Sequence, residues 1–400
     1  MPQIVKKKNT VLLLFAIFAV SINLRPAITS IGPMLEIIRE DLTLTNTHVT
    51  LLTAIPIFCM GIFATLSPIF NRRFGLTRST YAMLILIGIT TFMRGIIPGF
   101  LVLLVTAFII GIAVSIIGPL ISAMIKQYFP NHTASVIGVY SFGMGVGSAA
   151  SAGVTGVFYQ VTDSYPFALS IWSVLAFVGL IAWKLATKNK LEVRQIDRTV
   201  TKEAKRSSPW KSRKAWLFLL FFGLQSSIFF SIITWLAPIA LSTGMTLLQA
   251  GTLLSVMTTV QIFLNILLPL LMEKFLTRKF WIFFMLVSGI VAMALLWTEI
   301  HQLMWVGAFL MGIPLGGLFA VALLLPLDEA VTGEEANTWT AMMQTGGYII
   351  GGLLPLVIAV VFDITADHLY TYLIIMMLFV IMFILTLFMG DKNEKQRTFD

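Results

Sequence analysis

The chain has 400 residues, of which 58% are hydrophobic and only 11% charged. A water-soluble domain clothes its surface with about a quarter charged residues, so this composition, with its mean hydropathy of +0.93, excludes an ordinary soluble fold and points to lipid as the solvent. The net charge of +9 raises nucleic acid as a partner, and the placement of the charges decides against it.

Spanning a bilayer takes about 20 apolar residues per helix. In chain order the sequence predicts twelve spans, at 10–38, 47–70, 79–97, 100–125, 132–160, 164–187, 215–241, 246–272, 280–298, 301–327, 337–363 and 368–390. These runs are long and continuous, whereas a membrane β-barrel reads as short alternating segments. Lys6, Lys7 and Lys8 place the amino terminus in the cytoplasm, and twelve spans return the carboxyl terminus to the same side. On that topology 24 of the 27 Lys and Arg are cytoplasmic, Arg39 is outside, and Arg25 and Arg94 lie within spans. This positive-inside bias accounts for the net charge without nucleic acid. The early lysines and the apolar run Val11–Val20 resemble a signal peptide, but no small-residue cleavage site follows, so an uncleaved first helix is expected.

Span one holds "SINLRPAITSIGP" (Ser21–Pro33). Arg25 lies about 14 residues into the span, roughly 21 Å deep at 1.5 Å per residue. An arginine there costs at least about 2.5–3.5 kcal/mol on insertion scales. Snorkelling from that depth is awkward. The acid in reach of the same helix, Glu36, is three turns away, and no other acid lies well inside a span. A cavity-facing arginine is therefore expected. Ser21, Arg25 and Thr29 share a face at i, i+4 and i+8. Pro26 and Pro33 each remove a backbone donor, and a broken helix beside a charge commonly lines a cavity.

Span two contains the single cysteine, Cys59, expected as a small packing residue. Arg94 in span three is the second embedded cation. It lies near the outer end, just before "GIIPG", so snorkelling stands beside a substrate or gating role. Two deep cations without a deep acid leave a positive cavity that favours an anionic or electron-rich substrate. The same fact argues against proton coupling through a buried carboxylate.

Span five carries "GVYSFGMGVGSAASAGVTG" (Gly138–Gly156), with Tyr140 near its start. Its GxGxG lacks the βαβ unit that a dinucleotide site requires. Small residues at this density let helices approach closely, which predicts a hinge or gating surface. After span six, the window 184–214 holds eleven Lys or Arg against three acids, as in a cytoplasmic linker with affinity for anionic lipid. In the second half, Gln225 and Trp235 lie in span seven, with Ser227 and Ser231 on the face of Trp235. Gln261 and Asn265 share a face of span eight, as do Gln344 and Tyr348 in span eleven. For each of these polar residues an interhelical hydrogen bond stands beside substrate binding. Asp328, Glu329, Glu334 and Glu335 read as a solvated turn pairing with basic loops. The histidines at 48, 132, 301 and 368 form no metal set, and no cofactor is called for.

Internal repeats organise the chain. "PIFNRRFGLTR" (Pro68–Arg78) and "PLLMEKFLTR" (Pro269–Arg278) start 201 residues apart, and so do "GIAVSIIG" at Gly111 and "GIPLGGLF" at Gly312. A weaker echo relates "VFYQVTDSY" to "VFDITADHLY". The fold class expected is an all-α membrane protein of twelve transmembrane helices in two six-helix parallel repeats. Its parts would be an N-terminal bundle at 1–186, a basic linker at 187–214, a C-terminal bundle at 215–390 and a cytoplasmic tail at 391–400.

This layout resembles the major facilitator superfamily. Within it, "NLRP" in span one, "FPNHTASVIGVYSFGMGVGSA" at spans four and five, "FGLQSSIFFSIITWLAP" in span seven and "MMQTGGYIIGGLLPLVIAVVFDIT" in span eleven are similar to the branch of cyanate permeases and 2-nitroimidazole transporters. The resemblance implies a rocker-switch cycle, a small substrate in a central cavity, and Arg25 as part of the helix-one motif. One departure stands out. The superfamily's loop between helices two and three carries an acid before its basic residues, where this chain has Asn71 or Arg72. Glu273 in the second repeat supplies an acid instead. The expected gating loops are therefore Arg72, Arg73 and Arg78 in one half and Glu273, Lys274 and Arg278 in the other.

The function expected is a secondary active or facilitative transporter of a small anionic or electron-rich solute, cyanate-like in character, working by alternating access in the cytoplasmic membrane as a monomer. Arg25, Thr29, Arg94, Tyr140, Gln225, Trp235, Gln261, Asn265, Gln344 and Tyr348 are the candidate substrate residues. A proton is the candidate coupling ion, carried by a group on the substrate itself. The alternative is efflux of nitroimidazole-like or other drug-like molecules. A membrane-embedded enzyme would need paired acids, a His/Cys set or a catalytic loop, and none is apparent. A transporter-like sensor would need a folded cytoplasmic domain, for which linker and tail are too short.

Overall fold

The computed structural model describes residues 7–44, 46–188, 208–274 and 277–389. Most of the expected basic linker and the whole of the expected tail lie outside them, as do the side chains of Glu273 and Lys274. Among the described residues every regular element is helical. Ten stretches are long and apolar enough to cross a membrane. The difference from twelve has two causes. One stretch, Leu51–Ile96, is 46 residues long, or about 69 Å at the helical rise, which is two bilayer crossings. The helix Thr133–Thr162 is too rich in Gly, Ser and Thr to register as apolar.

Span one is three helices. α1 (Lys7–Ser21) ends below the arginine, α2 (Pro26–Thr29) is a single turn, and α3 (Leu35–Asp41) follows a 3-10 turn at Gly32–Met34. Pro26 lacks the N–H that would bond the carbonyl of Ile22, which is why α1 does not run through. Next come α4 (Asn46–Ile62) and α5 (Ser67–Ile96), the latter interrupted at Gly75 with φ 81° and ψ 164°. Only glycine adopts that backbone without strain, and it divides the end of span two from span three. The first half ends with α6 (Phe100–Tyr128), α7 (Thr133–Thr162), α8 (Tyr165–Ser170) and α9 (Ser173–Lys188). The second half is α10 (Arg213–Ser242), α11 (Leu247–Lys274), α12 (Arg278–Trp297), α13 (His301–Glu329), α14 (Gly333–Thr365) and α15 (Leu369–Leu387). Large apolar side chains stand exposed at helical spacing, such as Phe177, Ile181 and Leu185 on α9 and Phe284, Val287 and Val291 on α12. Such stripes would be a liability in water and face lipid here.

The sequence repeat recurs as a repeated contact. A Cβ at Gly111 on α6 would meet the Cβ of Cys59 at 2.6 Å and the Cα of Pro56 at 2.9 Å. A Cβ at Gly312 on α13 would meet the Cβ of Val260 at 2.6 Å and the carbonyl of Met257 at 2.7 Å. Gly312, Val260 and Met257 each lie 201 residues after Gly111, Cys59 and Pro56. Both halves therefore use a glycine to press one helix onto its neighbour at the same register. Cys59 is buried in this contact, as a packing residue.

The halves meet where α7 packs on α11 and α13 and where α14 packs on α4 and α6. On α7, a Cβ at Gly138 would meet the backbone of Asn265 and Ile266 at 3.4 Å, and one at Gly145 would meet the side chains of Asn265 and Ile262 at 3.2 Å. On α4, Gly61 faces Ile349 and the carbonyl of Thr345 on α14. Beyond these contacts α7 and α11 separate, since a Cβ at Gly153, Gly156 or Gly251 would meet nothing within 4 Å. The halves are thus in contact toward the end bearing Arg72 and Arg278, and the contact of α7 with α11 does not continue to the other end. The glycine-rich run serves two surfaces rather than one. Gly138 and Gly145 face the second half, while Gly143 and Gly147 face α1 and its break, at Ser21 and the carbonyl of Ile22.

Candidate functional site

The break in span one sets the site. Backbone N–H groups of Ile28 and Thr29 both bond the carbonyl of Arg25, at 2.9 Å, so Arg25 caps the one-turn helix α2 and its side chain leaves the chain where α1 has stopped. It is partly exposed. Two tyrosines lie within reach of its charge. The Tyr348 hydroxyl faces the guanidinium, which can donate to it, and Tyr140 lies within electrostatic reach of Arg25. Tyr348 is 4% exposed and Tyr140 2%. The ring of Tyr348 stands edge-on to Phe222, with centroids 5.0 Å apart. The site thus draws a cation from span one, a phenol from α7 and a phenol from α14. Among the described residues, no ion pair involves Arg25.

Arg94 departs from the snorkelling reading of the sequence. It does not snorkel: it is 1% exposed. Its Nη1 donates to the carbonyl of Ala27 at 2.6 Å and its Nε to Thr106 Oγ1 at 3.1 Å. The Thr106 hydroxyl in turn donates to the carbonyl of Leu103. Ala27 belongs to α2, whose last carbonyls have no helical partner. The N–H of Ile31 goes to Ile28 instead of Ala27, which leaves that oxygen for the guanidinium. A magnitude separates the two arginines. A hydrogen bond from a charged group contributes about 1.5–3 kcal/mol, so the two made by Arg94 work against its insertion cost of roughly 2.5–3.5 kcal/mol, although its Nη2 is buried without a partner among the described residues. Arg25 has no such pair of acceptors among the described residues.

The remaining candidates divide. Thr29 donates to the carbonyl of Arg25 and shares a hydrogen with Ser151 on α7 at 2.6 Å, a link between helices. Gln344 is 4% exposed and packs against Gly118 of α6, where a Cβ would meet its amide oxygen at 2.9 Å. Asn265 is 2% exposed. Its amide faces Gly145, and its Oδ1 is buried without a partner among the described residues. Gln225 is buried, and its Oε1 accepts from Ser226. Gln261 is partly exposed on α11, where its carbonyl meets Gly316. Trp235 is not part of this cluster. Its ring packs on Phe362 at 5.3 Å and His368 at 6.0 Å. Ten residues of α10, about 15 Å, separate it from Gln225.

The end bearing Arg72 and Arg278 carries the loops expected to gate. Arg278 pairs with Asp328, and Lys214 with Glu329 at 3.0 Å. Arg72 approaches Glu334 at 4.0 Å, which ties the first half to the second. Arg73 lies over the ring of Phe74 at 5.4 Å, and Arg78 is exposed. The acidic turn thus pairs with the basic loops. A buried link lies deeper, where Asn337 donates to Ser67 Oγ at 3.2 Å and Ser67 donates to the carbonyl of Ile116 at 2.9 Å. Sequence reasoning did not single out Ser67, Thr106, Ser151, Phe222 or Asn337. Each is an isolated residue of a common type, and only the partner gives it meaning.

The protein-family model described as Major Facilitator Superfamily matches residues 11–355. The cyanate transport protein CynX of Escherichia coli is 29% identical over 357 residues, 89% of this chain and 91% of that protein. The 2-nitroimidazole transporter of the same organism is 26% identical over 97% of both chains. The uncharacterized transporter YycB of Bacillus subtilis is 28% identical over 93% of this chain and 91% of its own. Among solved structures, the proton:xylose symporter XylE bound to 6-bromo-6-deoxy-D-glucose superposes with a TM-score of 0.76 over 96% of both chains at 13% identity, a likeness of fold.

Proposed function

The chain belongs to the major facilitator superfamily, and from that premise we propose that it moves a small anionic or electron-rich solute across the cytoplasmic membrane by alternating access. The observation that carries the reading is Arg25. It is an embedded cation without a counter-ion among the described residues, set between Tyr140 and Tyr348. An anion reaching it meets one full positive charge and two phenolic donors in a low-dielectric wall, where each interaction is stronger than in water. With the basic loops cytoplasmic, the end where the halves are in contact faces the cytoplasm.

Two relatives supply substrate chemistry consistent with this. One is described as a cyanate transport protein and the other as a 2-nitroimidazole transporter. Both solutes are compact and electron-rich, and a linear anion suits a single guanidinium better than a drug-sized ring does. Efflux of nitroimidazole-like molecules is the second reading, favoured by the aromatic walls at Phe222 and Tyr348. Uptake into proteoliposomes tests the choice, with cyanate, nitrate, short carboxylates and 2-nitroimidazole as the panel. Saturable uptake of a small anion supports the first reading. Transport of the nitroimidazole alone supports the second.

A further inference from the structure

We infer that Arg94 is a positioning residue that holds span one in its broken form and thereby aims Arg25 into the cavity. The inference rests on the reading of Arg25 as the substrate's anchor, and it adds a residue that touches no substrate. Arg94 spans the gap between two elements. Its Nη1 holds the carbonyl of Ala27 in α2, and its Nε is fixed by Thr106 of α6. Ala27 is two residues from Arg25, inside the four-residue helix that Arg25 caps. A continuous helix would use that carbonyl for its own ladder, so the bond exists only while the chain is broken. The guanidinium keeps its charge in proteins, and among the described residues no carboxylate pairs with it. What its Nη1 satisfies is a carbonyl of α2 that has no helical partner, while its Nη2 is buried without a partner among the described residues. The fork of donors matters as much as the charge, because a lysine has one point of attachment and cannot serve Ala27 and Thr106 in the same geometry.

The test compares Arg94→Lys, Thr106→Val and wild type in proteoliposomes, with cyanate as the probe. Site-resolved mass spectrometry then follows phenylglyoxal modification of Arg25 in each. Positioning predicts that Arg94→Lys raises KM about tenfold with Vmax per folded transporter within about threefold. Thr106→Val, which removes one bond and no charge, raises KM by about threefold. The modification rate of Arg25 changes in both variants. Normal KM and normal Arg25 reactivity in Arg94→Lys overturn the inference, because charge alone then suffices. A fall in folded yield with KM and Arg25 reactivity unchanged overturns it too, because Arg94 is then a stability residue only. If wild type moves no cyanate, the transport reading fails by itself, while Arg25 reactivity still decides whether Arg94 positions the break.

Discussion

Gly147 tests the packing of the broken helix most sharply. A methyl added there would fall on the carbonyl oxygen of Ile22 and lie 3.1 Å from its carbonyl carbon. Ordinary van der Waals contact begins near 3.4 Å, and the obstacle is backbone, not the end of a flexible side chain. Gly147→Ala must therefore push α1 and α7 apart at the point where α1 stops, three residues before Arg25. Overpacking of this kind costs about 1–3 kcal/mol. The same substitution at Gly153, two turns along the same helix, meets nothing within 4 Å. There the helix gains about 0.5–1 kcal/mol from losing a flexible residue. The two alanines should differ by about 1.5–4 kcal/mol in unfolding by sodium dodecyl sulfate in mixed micelles, followed by circular dichroism. The Gly147 variant should also lose transport. Equal stabilities would refute the reasoning, because the close approach of Ile22 to Gly147 would then not limit the packing.

Three further outcomes follow from the same geometry. Tyr348→Phe keeps the ring on Phe222 and removes the hydroxyl facing Arg25, so substrate KM should rise by roughly threefold to tenfold, in line with about 1 kcal/mol for one hydrogen bond, at unchanged folded yield. Ser67→Ala leaves the buried amide of Asn337 without its acceptor, which costs about 1–3 kcal/mol. Distances between spin labels across the end bearing Arg72 and Arg278 should broaden toward open values, and a distribution like that of wild type would count against Ser67 as a latch. Arg278→Ala removes the guanidinium paired with Asp328, whose side chain is 9% exposed. Removing one partner of a buried pair costs about 3–5 kcal/mol, the low end applying to this partly exposed arginine. Adding Asp328→Asn should recover most of the lost thermal stability.

Much of the fold was legible because lipid imposes simple rules. Each crossing needs a run of apolar residues, and each basic loop declares its side, so the order of helices could be read from composition. The repeat was legible at Gly111 and Gly312 because duplicated packing keeps glycine where no side chain fits. The break at Arg25 was legible in Pro26. What eluded sequence reasoning were the contacts that cross between helices. Arg94 looked free to snorkel because its acceptor is a backbone carbonyl, which any residue would present. Trp235 shared a helix with Gln225, and only the third dimension puts it against His368. The glycine run announced close approach without saying to what, and it turned out to face both span one and the second half.

The central claim is that Arg25 binds the substrate. Counterflow and electrogenic uptake of cyanate by purified wild type and Arg25→Gln, matched for folded protein, test it most directly. The account predicts saturable uptake in the wild type and loss of at least about tenfold in kcat/KM in the variant, since a lost charged hydrogen bond is worth about 1.5–3 kcal/mol. A variant that folds and transports every accepted solute as the wild type does would contradict it, and would make Arg25 a structural residue.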